Sequence, residues 1–246
     1  DNLISQYILI IGSIVALVFL AVAGNEKRAA AGLTRQNWKS AVLIVLAFVG
    51  IYIVRTVVSV AVQGVSDGSG MQYVKEWAAM FKNPMMWLNI AALPINYFFV
   101  FIAFFGEEYG WRYYLQPVLQ KRFGLRAGVI ILGVVWGLWH IPDDLFYYTQ
   151  TSGIQMIFAQ QITCISLGIF FAYAYMKTQN IWVPVCLHYL NNNLIPIISG
   201  TFSADVLENQ TVSWKDLPVA LVLNGLCFGF FLLADVFKKK EVQEEE

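Results

Sequence analysis

The sequence predicts an all-α bundle that crosses a membrane about seven times, with room for an eighth span. Three observations predict it. The chain is 58% hydrophobic and only 13% charged, with a mean hydropathy of +0.60, whereas a soluble domain carries roughly 25% charged residues. Its apolar residues gather in runs of about 20, the length a helix needs to cross the hydrocarbon core. Those runs do not alternate with period two, which excludes a membrane β-barrel.

Seven stretches qualify as spans: 3–23, 41–63, 87–106, 127–147, 155–176, 181–200 and 217–237. The first lacks a basic leader and a cleavage site, so it reads as an anchor rather than a removed signal. The chain opens on Asp1 rather than Met, which leaves room for an upstream piece. Connections are short, the longest being roughly 64–84, so none can hold a soluble domain. Residues 1–246 therefore read as a single integral membrane domain with a motif-bearing core at about 87–200.

Sixteen basic residues balance sixteen acidic ones, so net charge indicates no nucleic-acid partner. Their positions carry more. Lys27, Arg28, Arg35 and Lys39 follow the first span, Arg112, Lys121, Arg122 and Arg126 the third, Lys177 the fifth, and Lys238 to Lys240 the seventh. That puts twelve of the sixteen on alternate connections. Lys75, Lys82 and Lys215 share the intervening ones with Asp67, Asp143, Asp144, Asp205, Glu208 and Asp216. Because cytoplasmic loops hold the excess of Lys and Arg, the amino terminus is expected outside and the carboxyl terminus in the cytoplasm. The tail from Lys238 to Glu246 reads as a solvated stop signal. Cys164, Cys186 and Cys227 all lie in apolar runs without metal-binding spacing, so they read as free thiols.

Ionisable groups inside a bilayer are costly unless paired or hydrated, so each is a candidate site residue. Glu107 and Glu108 end the third span, followed by Arg112. At helical spacing Glu108 and Arg112 share a face and Glu107 is rotated by about 100°. One carboxylate can be held by Arg112 while the other faces a pocket; alone, the group equally fits an interfacial ion pair. The chain has two histidines, and both fall in spans. His140 stands four residues after Trp136 and two before Pro142, which ends or kinks its helix. His188 stands four residues before Asn192, so imidazole and amide point the same way. One membrane histidine is commonly an interhelical hydrogen bonder; two beside a Glu pair suggest chemistry, since imidazole can donate, accept or bind metal and an amide can donate to an oxyanion.

Glu107-Glu108-x-x-x-Arg112, then Trp136-x-x-x-His140, then His188-x-x-x-Asn192 resemble, in order and spacing, the CAAX protease and bacteriocin-processing family, also called the Abi family. Phe commonly stands where this chain has Trp136, and the swap keeps the aromatic role. The resemblance implies an intramembrane endopeptidase of peptide or membrane-associated protein substrates, in a bacterial cell membrane. It implies Glu107 as general base on a water, His140 holding that water, His188 and Asn192 stabilising the oxyanion, and Glu108 and Arg112 supporting them. The residue chemistry also permits zinc held by His140, His188 and Glu107, since two histidines and a carboxylate form a known catalytic ligand set. The carboxylate-activated water, with no cofactor, is the favoured scheme: there is no H-E-x-x-H helix, and the histidines are 48 positions apart.

Two non-proteolytic alternatives use the same polar groups: a proton-coupled transporter relaying through Glu107, His140 and Arg55, and a silent scaffold. Arg55 otherwise reads as paired inside the bundle or snorkelling. Cys186, two residues before His188, is off its face and a poor nucleophile candidate. Asn191 and Asn193 read as interhelical hydrogen bonders.

Overall fold

A computed structural model of the chain describes residues 36–66, 71–200 and 204–238, with isolated positions 14, 15, 18, 21, 22, 32, 33 and 68. Among these residues there is no strand. The helices, in chain order, are α1 (Trp38–Ser66), α2 (Gln72–Met80), α3 (Pro84–Glu108), a π-helical stretch (Tyr109–Leu115), α4 (Gln116–Phe123), α5 (Leu125–Trp139), α6 (Ile141–Phe146), α7 (Gly153–Thr178), α8 (Trp182–Ser199), α9 (Ala204–Glu208) and α10 (Asp216–Cys227), followed by two short 3-10 turns (Gly229–Leu233 and Asp235–Phe237). Apart from those isolated positions, the expected span at 3–23 lies outside the described residues.

Among the described residues, four segments are long and apolar enough to cross a membrane: Trp38–Val65, Pro84–Phe123, Leu125–Phe146 and Gly153–Thr178. The chain is an integral membrane protein. Its polarity is inverted relative to a soluble fold: Trp38, Phe98 and Phe99 are exposed while Glu108, Arg112 and Asp144 are fully buried. In hydrocarbon the outer face must be apolar and charges must find partners inside.

Three expectations change. The third span does not end in a basic loop but continues through the π stretch into α4, 40 residues in all. Arg112 is thus an interior residue, which removes one of the twelve charges counted on alternate connections. Asp144, read as an outer-loop charge, is also buried, because α6 carries it inward against α7. Finally, 217–237 is not one helix. α10 ends at Cys227 and the chain turns at Phe228, whose ring packs against Phe48, Tyr52 and Phe170 at 5.0 to 5.8 Å. Gly225 and Gly229 flank the turn, where helical propensity is lowest. The connection at 64–84 conversely contains α2, held by Trp77 Nε1 donating to the Ile198 carbonyl at 2.7 Å.

Local sequence sets the helices that carry the polar residues. Asn83 caps α3 by accepting from the Met85 N–H at 3.0 Å, and Pro84 occupies the first turn, where an N–H is not needed. The α5–α7 crossing is closer. A Cβ at Gly133 would lie 2.6 Å from the Ile165 backbone, and one at Gly137 would lie 2.6 Å from the Gln161 side chain. These glycines are four apart in Gly-Val-Val-Trp-Gly, a small-x-x-x-small seam that lets helix backbones approach within a membrane. Trp136 and His140 ride on the helix so fixed.

Candidate active site

Glu108 is the hub. Its Oε2 lies 3.0 Å from Arg112 Nε, and its Oε1 lies 2.9 Å from His188 Nδ1, 80 residues away on α8. All three side chains are buried. The Arg112 contact is an ion pair without hydrogen-bond alignment, and neither Nη atom has a hydrogen-bond partner. Flat aromatic faces compensate. The guanidinium carbon sits 5.1 Å from the Trp136 ring centre and 5.4 Å from that of Phe171, contacts each contributing on the order of 0.5–2 kcal/mol when desolvated. Removing one partner from such a pair costs about 3–5 kcal/mol, because the other charge is left stranded.

His188 is boxed by Phe104 at 5.2 Å, Trp136 at 5.4 Å and Phe171 at 6.2 Å between ring centres. With Nδ1 facing a carboxylate and three rings around it, Nε2 is the nitrogen left for another group.

His140 touches the same indole, at 5.9 Å between ring centres. It occupies the break between α5 and α6, where its backbone N–H turns to the Gly137 carbonyl at 3.1 Å. That leaves the Trp136 carbonyl to be met by His140 Nδ1 at 2.9 Å. A carbonyl only accepts, so Nδ1 carries a proton, and it is the neutral form of the ring in which Nε2 presents a lone pair. Cys164 Sγ lies 3.9 Å from the same Nδ1. Of the three thiols, this one adjoins a histidine, rather than Cys186.

Glu107 is half-buried and within electrostatic reach of His188, Arg112 and Cys164. Asn192 lies one helical turn beyond His188 on α8, is exposed, and accepts from Asn191 Nδ2 at 2.9 Å. Glu108, Arg112, His188 and Trp136 therefore form one connected cluster, with His140 against the shared indole. Asn192, four residues along α8 from His188, stands exposed beside this cluster. Among the described residues no three His, Cys, Asp or Glu side chains are grouped to hold one metal ion. The donor set, as placed, does not fit the zinc arrangement of His140, His188 and Glu107.

Sequence reasoning did not anticipate Phe171 or the double role of Trp136, which faces Arg112 and both histidines. The Gly-Val-Val-Trp-Gly seam was the available signal, since it dictates which face of α5 meets α7. Asp144, fully buried with both carboxylate oxygens lacking a partner, gave no signal beyond its four-residue spacing from His140.

Fold and site together define a membrane-embedded helical protein with a buried carboxylate–imidazole centre. Residues 88–194 match the family described as type II CAAX prenyl endopeptidase Rce1-like. The motif-bearing segment is thus similar to that family, in agreement with the resemblance carried by its three motifs. CAAX prenyl protease 2 of Methanococcus maripaludis is 27% identical over 125 residues, which cover 47% of this chain and 45% of the relative. The chain thus spans about half the length of the curated relative it matches. No solved structure matches it.

Proposed function

We propose that this protein is an intramembrane endopeptidase that hydrolyses peptide bonds with a water activated by Glu107. Glu107 takes a proton from the water, which His140 holds through its free Nε2, and the resulting hydroxide attacks the scissile carbonyl carbon. His188, through Nε2–H, and Asn192, through Nδ2–H, donate to the oxyanion as it forms. Collapse breaks the C–N bond, and Glu107 returns the proton to the leaving amine. For His188 to donate from Nε2 while Nδ1–H faces Glu108, the ring must be an imidazolium. Arg112 and that imidazolium then balance the carboxylates of Glu107 and Glu108.

The observation that carries this reading is the 2.9 Å contact between Glu108 and His188, which joins the first and third motifs in one buried centre. The similarity of residues 88–194 to prenyl endopeptidases supports peptide hydrolysis, and the motif set supports a CAAX-processing or bacteriocin-processing type of substrate, peptide or membrane-associated protein. The decisive experiment compares wild type and Glu107→Gln in one cleavage assay. The variant is nearly isosteric but cannot accept the proton, so its rate should fall about 10²- to 10⁴-fold at unchanged melting temperature. Cleavage should survive strong chelation; chelator-sensitive, zinc-restorable activity would reassign the histidines to a metal.

The setting we propose is a bacterial cell membrane, amino terminus outside and carboxyl terminus cytoplasmic, on the remaining bias of basic residues. In a variant lacking the native thiols, cysteines placed at Lys121 and Lys177 should resist an impermeant reagent in intact cells. Labelling there, with protection near Asp143, would invert the topology.

A further inference from the structure

We propose that Tyr52, on α1 and outside the segment matched to the family, is a positioning residue that sets the orientation of the Asn192 amide. The inference rests on Asn192 being an oxyanion donor, and extends that reading to a helix the motifs do not include. A carboxamide has a donor end and an acceptor end of almost the same shape. An exposed Asn is free to turn either one toward a substrate. Only the NH₂ end can stabilise an oxyanion.

A directed chain of hydrogen bonds removes that freedom. The Tyr52 hydroxyl donates to Asn191 Oδ1 at 2.6 Å, which leaves the Asn191 NH₂ pointing onward. Asn191 Nδ2 donates to Asn192 Oδ1 at 2.9 Å. With its oxygen engaged, Asn192 presents Nδ2 to the site. Asn193, next along, turns back on its own helix by donating to the Tyr189 carbonyl at 3.0 Å and takes no part.

Tyr52 is suited to anchor this chain because its ring is buried and packed against its neighbours. It is 5% exposed, with its ring edge-on to Phe48 at 5.0 Å and tilted against Phe228 at 5.0 Å. The Arg55 guanidinium lies 5.8 Å from the ring centre and is itself fixed by Nε donating to Asn224 Oδ1 at 3.0 Å. This gives the mid-span Arg55 a place in the site's support, paired inside the bundle.

Tyr52→Phe removes the hydroxyl and keeps the ring, so it tests the relay in the full chain. In protein labelled with ¹⁵N-asparagine and held in nanodiscs, the Asn192 side-chain amide resonance, assigned by its loss in Asn192→Asp, should shift in Tyr52→Phe. An unmoved resonance overturns the proposal. In the cleavage assay kcat should fall roughly 3- to 10-fold, the equivalent of one hydrogen bond, with KM within about twofold. On an Asn192→Ala background, Tyr52→Phe should cost nothing further; an equal cost on both backgrounds also overturns the relay. A wild type that cleaves no substrate defeats the protease reading, while the amide resonance still decides this one.

Discussion

The two histidines meet the same indole but are held by opposite means. His188 is locked by a charge: a buried carboxylate that an arginine packed against two aromatic rings keeps in place. His140 is locked by the backbone: a carbonyl freed where α5 breaks ahead of Pro142. The difference assigns them different work. A ring facing a carboxylate can be held as an imidazolium and donate, whereas a ring facing a neutral carbonyl keeps a lone pair with which to accept. It also means that one centre is bound up with folding and the other is not.

The sharpest break in this comparison is Arg112→Ala, which strands Glu108 in a buried site. A loss of about 3–5 kcal/mol should appear as a large drop in thermal stability in detergent, with cleavage abolished. Arg112→Lys should recover little, since an ammonium has no flat face to lay against the Trp136 and Phe171 rings. His188→Ala comes next, with kcat reduced on the order of 10²- to 10³-fold if it resembles other oxyanion donors. His140→Ala should also suppress kcat, but it removes a single carbonyl contact, so stability should change by only about 0.5–1.5 kcal/mol. If His140→Ala unfolds the protein as readily as Arg112→Ala, the contrast between the two locks is wrong. The smallest effect belongs to Trp136→Phe, which keeps an aromatic face over Arg112 but a weaker one. A stability loss of roughly 0.5–1 kcal/mol, read from chemical denaturation, would separate the indole's cation contact from its packing.

What could be read from the sequence was local. The four-residue step from Glu108 to Arg112 is fixed by helical geometry, and it correctly left Glu107 as the carboxylate not held by Arg112. Helix lengths and apolar runs located most of the described helices for the same reason. Contacts between distant segments were not legible, because spacing within one helix says nothing of which face meets a neighbour. So the reach of Glu108 to His188, the Phe171 face against Arg112, and the chain from Tyr52 to Asn192 all required the packed bundle. Charge position misled twice, at Arg112 and Asp144, since counting charges by connection presumes that a residue beyond a span is in water. The break at Phe228 escaped because hydropathy cannot tell a helix from an apolar turn drawn into an aromatic core.

The π stretch between α3 and α4 bears on how this chain tolerates length changes. A π turn is where a helix absorbs a residue more than the α pitch accommodates, so Tyr109–Leu115 holds slack in the helix beside the site. Gly110 has open space around it. Deleting it would let the stretch tighten toward α pitch while Glu108 and Arg112, then three apart, remained on neighbouring positions of one face. Deleting a residue within α3 ahead of Glu108 would instead rotate everything downstream by about 100° relative to the residues before it. The region richest in chemistry is therefore also the one place along this 40-residue helix where the reading of length is forgiving.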